Sequence, residues 1–340
     1  MLVNPKSLFK FNRFDVAAKY LFLDHIEKGH NTNFGMNVYA EHLRVWNGFK
    51  EYDDADKSGL QSYVDTFKSI NNSIKEDGYK VDKAPVPINK DGYLLNGSHR
   101  LTCCLYHDKE IDCEEVADSS AGQENCTSYF FRSLGLDHKI SDAMAIQYAK
   151  IKENTFIVTV FPAATVKNNI HEVRKILMDY GGIVHEKGAV LGGAGPLNLM
   201  RQMYSGESWG GNFSTGLSGF CAKANFCYPL GVTSPTHAFL VEMDSVETVQ
   251  EVKQKIRDLY GISNHSVHIN DTHEETLRLA RVFFNDNSLS FLCRSNVVYY
   301  PKYEHLIKEL KEWADHNKYD RDDICVTASS VLSCLLYTSD

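Results

Sequence analysis

The sequence has no closely spaced cysteine pairs of the kind that bind zinc. Its nine cysteines include no Cys-x-x-Cys pair, and two of them, Cys103 and Cys104, are directly adjacent. Zinc sites need a characteristic spacing of Cys and His ligands, so we expect no zinc here. Scattered free thiols are typical of proteins in a reducing compartment, and we therefore expect a cytoplasmic protein.

Long apolar runs and an excess of positive charge are also missing. No stretch is apolar over the ~20 residues that a membrane-spanning helix needs, and the first residues lack the apolar core of a signal peptide. The chain has 36 Lys and Arg against 44 Asp and Glu, which gives a formal net charge of −8. Broad nucleic-acid surfaces need a positive excess. We thus expect neither membrane nor nucleic acid as a partner, although a small anion site is compatible with this charge.

The length of 340 residues predicts two or three domains, because the chain is too long for one small core. Residues 1–50 interleave apolar and charged residues as helices do, and residues 60–77 repeat apolar residues at helical spacing before Gly78. From residue 153 onward, strand patterns alternate with amphipathic helices in the order β-α-β-α-β-α-β-α. This order predicts an α/β domain with helices packed on a sheet.

The stretch APVPINKDGYLL predicts two short strands around a turn at Lys90, Asp91 and Gly92. The stretch LLNGSHRLTCCL then places a small polar turn, Gly97 to Arg100, between these strands and a helix. Gly97 would let a ligand approach the backbone, and the N–H groups at the start of the helix would bind phosphate oxygens. Ser98 would cap the helix, while His99 and Arg100 would add hydrogen-bond donors. The alternative is an ordinary helix cap with a surface histidine and arginine.

The longer segment VPINKDGYLLNGSHRLTCCLY resembles the core of the ParB/sulfiredoxin-like fold, and the resemblance extends over residues 50–115. That family has a strand pair, a Gly-x-His-Arg turn that holds nucleotide phosphates, and a helix. The resemblance implies that Gly97, Ser98, His99 and Arg100 bind ATP or a related nucleotide. Sulfiredoxins carry their catalytic cysteine where this chain has Ser98, and the DNA-binding domain of the chromosome-partition members is not evident.

A third branch of the same family contains free-serine kinases, which carry a glutamate, then an aspartate and a helix, upstream of the turn. The stretch KEYDDADKSGLQSYVDTFKSI resembles this arrangement and places Glu51 at the position of the glutamate. A carboxylate there would take the proton from an attacking hydroxyl. Asp53 and Asp54 would hold Mg²⁺. The alternative is that all three are solvated loop charges.

A second constellation lies in the stretch HSVHINDTHEET, where His268 ends a predicted strand. Thr272 and Glu275 form a capping-box pattern, which predicts that a helix begins at this point. The stretch resembles nucleoside diphosphate kinases, whose catalytic histidine stands at the end of such a strand, and the resemblance covers residues 153–290. The alternative is a structural histidine beside an ordinary capping turn.

The same resemblance implies that Arg257 and Tyr204 contact the nucleotide in one cleft with His268. One departure concerns the position before the proline of the first strand, where the family has a lysine and this chain has Phe161. Without that cation, charge on the transferred phosphate would be stabilised less well. We therefore expect His268 to be placed like a phosphate acceptor yet to be weakly active or inert.

These observations predict an α/β (α+β) fold with a ParB/sulfiredoxin-like domain, a ferredoxin-like domain of the nucleoside diphosphate kinase type, and the start of a further α/β unit. The last seven residues, CLLYTSD, resemble the read-through of a sequencing adapter, and we expect them to be foreign to the fold. The expected boundaries are 1–118 for the first domain, 119–152 for a linker, 153–295 for the second domain, 296–333 for a helix and the interrupted third domain, and 334–340 for the adapter-like tail.

The function expected from the two resemblances is phosphoryl transfer from ATP or a similar nucleotide to the hydroxyl of a small molecule or glycan. Mg²⁺ is implied as a cofactor because phosphoryl transfer needs its charge neutralised. The alternative is a nucleotide-binding regulatory or interaction protein whose catalytic residues have drifted, and Phe161 favours it. The sequence indicates no oligomeric state.

Overall fold

The computed structural model describes residues 1–51, 58–79, 84–116, 125–167, 169–294, 301–319 and 324, and within them the chain is mixed α/β. The strands are β1 (Leu2–Val3), β2 (Val86–Ile88), β3 (Ile111–Glu115), β4 (Thr155–Val160), β5 (Gly182–Ala189), β6 (Thr236–Glu242) and β7 (Val267–Ile269). The helices are α1 (Pro5–Leu8), α2 (Asp15–Glu27), α3 (Asn33–Asn47), α4 (Leu60–Asp77), α5 (Ser98–Tyr106), α6 (Ser128–Ser133), α7 (His138–Ile151), α8 (Pro162–Thr165), α9 (Ile170–Tyr180), α10 (Gly195–Met203), α11 (Ser218–Cys227), α12 (Val246–Tyr260), α13 (His273–Phe283), α14 (Asp286–Arg294) and α15 (Pro301–His316). None of these helices is both long and apolar enough to cross a membrane.

The chain divides into two compact units, and both sheets belong to the first of them. The first unit combines Met1–Val190 with Cys227–Asp286, and the second combines Leu191–Phe226 with the chain from Asn287 onward. The stretch expected as a linker contains α6 and α7, and α7 packs against α2, α3 and α13. A helix covered by several neighbours is part of a core and does not connect two cores. The first unit therefore runs through the expected linker.

The smaller sheet has the order β1-β3-β2 and carries α5 between two parallel strands. β2 and β3 are parallel, as a strand–helix–strand connection requires, and β1 is antiparallel to β3. The predicted turn at residues 90–92 is present. Its backbone is held by the Asn89 side chain, which accepts hydrogen bonds from the N–H groups of Asp91 (3.0 Å) and Tyr93 (2.8 Å). This turn leads the chain back past β2 to the start of α5.

The larger sheet has the order β5-β6-β4-β7, and all its pairings are antiparallel. The chain passes through it in the order β4-α9-β5-β6-α12-β7, which is a βαββαβ arrangement. Helices α9 and α12 cover one face. The core under them contains side chains from all of these elements, among them Val158, Val173, Leu177, Ile183, Phe239, Val252, Ile256, Val267 and Ile269.

A buried ionic cluster joins the first residues of the chain to α2. The Asp15 carboxylate accepts hydrogen bonds from Arg13 at 2.8 and 3.0 Å and from Lys19 at 2.8 Å, and all three side chains are buried. Burial alone would raise the pKa of Asp15, but the two positive charges lower it well below its ordinary value. Asp15 is therefore a buried carboxylate that stays ionised because both partners are present.

Candidate functional site

The candidate site is the start of α5, which the predicted phosphate turn, Gly97 to Arg100, forms. Gly97 is the N-cap residue with φ 95° and ψ 26°, and as a glycine it offers no capping side chain. The expectation that Ser98 caps it is wrong, because Ser98 is already the first helical residue. A capping side chain has to come from the residue that precedes the helix, and here that residue is a glycine.

Two features of the backbone explain why residue 97 is glycine. Its φ lies in the left-handed region, which L-residues with a side chain adopt at a cost. A Cβ atom at this position would also lie 2.7 Å from Val86 Cγ1 and 3.2–3.3 Å from the Arg100 guanidinium. Because residue 97 has no side chain, the Arg100 guanidinium can lie beside the first turn of α5.

The Arg100 guanidinium is held on one side by protein groups. Its Nη1 donates to the Tyr79 hydroxyl at 2.9 Å and to the Ala84 carbonyl at 2.7 Å, and the Tyr79 hydroxyl donates to the same carbonyl at 2.8 Å. For Nε and Nη2, no partner occurs in the part of the chain that the structure describes. That Nε–Nη2 edge is the one with which arginine grips two oxygens of a phosphate or carboxylate.

His99 turns away from the start of the helix into an aromatic cluster. Its Nε2 lies 2.8 Å from the Tyr39 hydroxyl, and its ring centroid lies 4.8 Å from that of Phe67 and 6.4 Å from that of Tyr63. Burial raises the pKa of Tyr39 well above its usual value. Tyr39 therefore stays protonated, and its hydroxyl can donate a hydrogen bond to Nε2 of His99. His99 thus supports the turn through Tyr39.

Glu51 is an electrostatic neighbour of Tyr39. It is partly exposed, and its negative charge is among the groups that raise the pKa of Tyr39, after burial, Tyr63 and Cys103. Tyr39 in turn contacts His99 of the predicted phosphate turn. The two other acidic residues of this stretch, Asp53 and Asp54, lie outside the described residues.

Metal ligands are not clustered in the described ranges. Within them, no group of three or more His, Cys, Asp or Glu side chains could hold a metal ion. The Mg²⁺ site expected at Asp53 and Asp54 falls on residues that the structure does not describe, so it stays a prediction.

His268 is the central residue of the three-residue strand β7, so the strand ends one residue later than the sequence predicts. Its Nε2 lies 3.2 Å from Glu275 Oε1 of α13. The predicted start of the next helix is confirmed: Thr272 is the N-cap residue, and its hydroxyl accepts the N–H of Glu275 at 3.2 Å. The carboxylate of Glu275 is thereby engaged with His268, and the pair joins β7 to α13.

Arg257 lies on the other side of the larger sheet. The neighbours of His268 in β7, Val267 and Ile269, pack in the core under α12, the helix that carries Arg257. Side chains alternate between the faces of a strand, so His268 projects from the opposite face. The two residues do not face one cleft, which differs from what the resemblance implies.

Tyr204 belongs to the second unit and packs in an aromatic cluster there. Its ring centroid lies 5.0 Å from that of Trp209. Phe161 is fully buried in the first unit, where its ring centroid lies 6.0 Å from that of Tyr228. The position where nucleoside diphosphate kinases carry a lysine is thus an apolar core position in this chain.

Sequence reasoning missed the aromatic residues that surround the predicted phosphate turn. Tyr63 and Phe67 appear in the sequence as apolar positions of a helix, four residues apart, which is a signal for packing only. Tyr39 lies sixty residues from His99, and no spacing rule links them. Tyr79 follows Gly78 at the end of α4, and its contact with Arg100 depends on tertiary structure.

No protein-family model matches this sequence, and no curated protein matches it either.

Proposed function

We propose that this chain is a nucleotide-dependent phosphotransferase that transfers a phosphoryl group from ATP or a related nucleotide to the hydroxyl of a small molecule or sugar. The supporting observation is the start of α5, where the Gly97 N-cap and the Arg100 guanidinium lie together. In this proposal the first domain is ParB/sulfiredoxin-like and belongs to the serine-kinase-like branch.

The phosphate would be bound by the backbone and by Arg100. The first N–H groups of α5 carry the positive end of the helix dipole, and the Gly97 N-cap lets phosphate oxygens come close to them. The Nε–Nη2 edge of Arg100 would take two oxygens of one phosphate, with Nη1 kept in place by Tyr79 and Ala84. In this proposal Nη1 fixes the position of the guanidinium through Tyr79 and Ala84, and Nε and Nη2 bind the phosphate.

Glu51 would act as the general base. The acceptor oxygen would attack the terminal phosphorus while its proton passes to the Glu51 carboxylate, and the bond from that phosphorus to the leaving diphosphate would break. Asp53 and Asp54 would hold Mg²⁺, which would neutralise charge on the phosphates. His99 would keep the first turn of α5 in position through its hydrogen bond to Tyr39.

Isothermal titration with a panel of nucleotides, with and without Mg²⁺, tests this proposal, followed by product analysis with a panel of hydroxyl acceptors. We expect one nucleoside triphosphate to bind more tightly with Mg²⁺ than without it and to transfer its terminal phosphoryl group to an acceptor. Absence of nucleotide binding from a folded protein would contradict the proposal.

A second candidate is a nucleotide-binding regulatory or interaction protein without transferase activity. Two observations favour it for the domain at 153–295, which in this proposal is ferredoxin-like: Phe161 is buried in apolar surroundings, and His268 and Arg257 lie on opposite sides of the sheet. Binding of a nucleotide without hydrolysis or transfer to any acceptor would select this alternative.

A further inference from the structure

The second unit presents a tryptophan on its surface within a polar loop of unusual composition. Trp209 is 46% exposed and lies in the 3-10 helix Ser208–Gly210. The segment 204–219 contains several serines and glycines and one asparagine, and its single charged residue is Glu207. Loops that combine aromatic residues with Ser, Gly and Asn offer a large rigid contact area together with adaptable hydrogen bonding.

The backbone that carries Trp209 is fixed by close packing. The indole lies edge-to-face against Tyr204 and Phe220, with ring centroids 5.0 and 5.4 Å away and interplanar angles of 66°. A Cβ atom on Gly219 would lie 2.0 Å from the carbonyl oxygen of Trp209, and one on Gly210 would lie 2.0 Å from the Phe220 ring. These approaches exist only because both residues are glycines. The exposed side of the indole is thus held in place before any ligand arrives, which lowers the entropic cost of binding.

Polar groups of the loop that carries Trp209 are available for hydrogen bonds. Asn212 folds the loop with its Oδ1 atom, which accepts the N–H of Thr215 at 3.1 Å and the hydroxyl of Ser214. Within the part of the chain that the structure describes, the Nδ2 group of Asn212 and the hydroxyl of Ser208 have no hydrogen-bond partner. Both residues are exposed, so a donor and a hydroxyl lie near Trp209 in sequence and at the surface.

The charge around Trp209 decides between classes of ligand. Phosphates and nucleic acids require cationic contacts, and membrane surfaces require a larger apolar face with basic flanks, whereas segment 204–219 offers one acidic residue. Lys223 is nearly buried, with its Nζ 5.9 Å from the centroid of the Tyr204 ring. A neutral ligand with an apolar face and many hydroxyl groups fits this surface, because it buries the face on the indole and bonds with the polar rim.

We propose that Trp209 is the stacking platform of a binding site for a neutral sugar ring, with Asn212 and Ser208 as hydrogen-bonding groups. The ring would lie on the exposed side of the indole, and its hydroxyl groups would bond with the loop. This inference does not depend on the nucleotide site, since the residues that carry it belong to the second unit. In this proposal Tyr204 supports the Trp209 ring, whereas the resemblance implies that Tyr204 contacts a phosphate.

The test is binding of the full chain, without nucleotide, to an array of neutral oligosaccharides built from glucose, galactose, mannose and N-acetylglucosamine, with heparin and single-stranded DNA as anionic comparators. We expect at least one neutral oligosaccharide to bind and to change tryptophan fluorescence. Trp209→Ala should weaken this binding at least about tenfold, as expected for loss of a stacking tryptophan. The matched control is Trp313→Ala, because Trp313 is 52% exposed on α15 and should not matter.

Asn212→Asp provides a second measurement if Trp209→Ala fails to fold. It keeps the oxygen that folds the loop and removes the Nδ2 donor, so we expect a loss of affinity of several-fold in a protein with an unchanged melting temperature. Binding to the anionic comparators alone, no binding of any neutral sugar at millimolar concentration, or equal binding by wild type and Trp209→Ala would each overturn the proposal. If the protein binds sugar but Arg100→Ala leaves nucleotide binding unchanged, the sugar site stands and the proposed nucleotide site is contradicted.

Discussion

The hydroxyl of Tyr39 lies 2.8 Å from Nε2 of His99, which connects α3 to the first turn of α5. The contact lies inside an aromatic cluster, where a lost hydrogen bond is not replaced readily by water. We infer that it stabilises the conformation of the predicted phosphate turn, and its energetic contribution can be measured directly.

Removal of this hydroxyl in Tyr39→Phe should lower the free energy of unfolding by about 0.5–1.5 kcal/mol, the usual net worth of one hydrogen bond. Urea denaturation measures the change. The matched control is Tyr93→Phe, because the Tyr93 ring is partly exposed and we expect a change within about 0.5 kcal/mol. Equal stability of Tyr39→Phe and wild type would show that the contact does not stabilise the turn.

Arg100→Ala should weaken nucleotide binding by about 1.5–3 kcal/mol, the scale of a charge-assisted hydrogen bond. Arg100→Lys should recover little, since lysine keeps the charge but lacks the paired donors of the Nε–Nη2 edge. Isothermal titration gives both affinities. Arg44→Ala serves as the control, because Arg44 is exposed and pairs with Glu41 on the same helix. An affinity that stays constant in a folded Arg100→Ala protein would mean that the turn is only a helix start.

Glu51→Gln should leave nucleotide binding nearly intact and slow phosphoryl transfer by about 10²–10⁴-fold, because the amide cannot accept the proton of the acceptor hydroxyl. Single-turnover kinetics with a fixed acceptor separate the two effects. Glu41→Gln is the control, since Glu41 is a carboxylate on α3 that pairs with Arg44. Wild-type turnover in Glu51→Gln would remove this residue from the mechanism.

The buried Asp15 should make stability depend on pH. Its pKa in the folded protein lies below the ordinary 3.8 because of Arg13 and Lys19, although burial alone would raise it. A lowered pKa stabilises the fold above the pKa of the unfolded chain, and this contribution is lost as the pH falls from about 5 toward the folded value. Urea denaturation between pH 7 and pH 3 should therefore show a steeper loss of stability in wild type than in Asp15→Asn.

Asp15→Asn should also lower the free energy of unfolding by about 3–5 kcal/mol at neutral pH, since it leaves two buried cations without their carboxylate. The control is Asp91→Asn at the exposed turn, where we expect little change in stability and the wild-type dependence on pH. If Asp15→Asn and wild type lost stability in parallel below pH 5, the ion pairs would not be responsible for the acid sensitivity.

His268 should take up little or no phosphate from γ-labelled ATP. Phe161 supplies no positive charge, Arg257 lies on the other side of the sheet, and Nε2 of His268 is engaged with Glu275. Phosphohistidine is acid-labile, so an acid and base stability assay identifies any label. Stoichiometric labelling that is lost in His268→Ala and kept in His171→Ala, a variant of an exposed histidine, would refute this expectation and make His268 a catalytic residue.

Features that depend on neighbouring residues were accessible from the sequence. The alternation of strands and helices after residue 153, the turn at 90–92 and the N-cap at Thr272 appear in the structure where the sequence predicts them. Each of them rests on hydrophobic periodicity or on a hydrogen bond that spans only a few residues. The cap of α5 is the exception among the local features, because Gly97 supports a left-handed backbone in a place where the pattern favoured Ser98.

Features that join distant segments came from tertiary structure alone. The helices at 128–133 and 138–151 lie in a stretch of unremarkable sequence, and only their neighbours make them part of a core. Tyr39 meets His99 across sixty residues, while His268 and Arg257 are only eleven residues apart and lie on opposite sides of a sheet. Side-chain direction is set by which face of a strand or helix is buried, and burial depends on the whole chain rather than on the residues nearby.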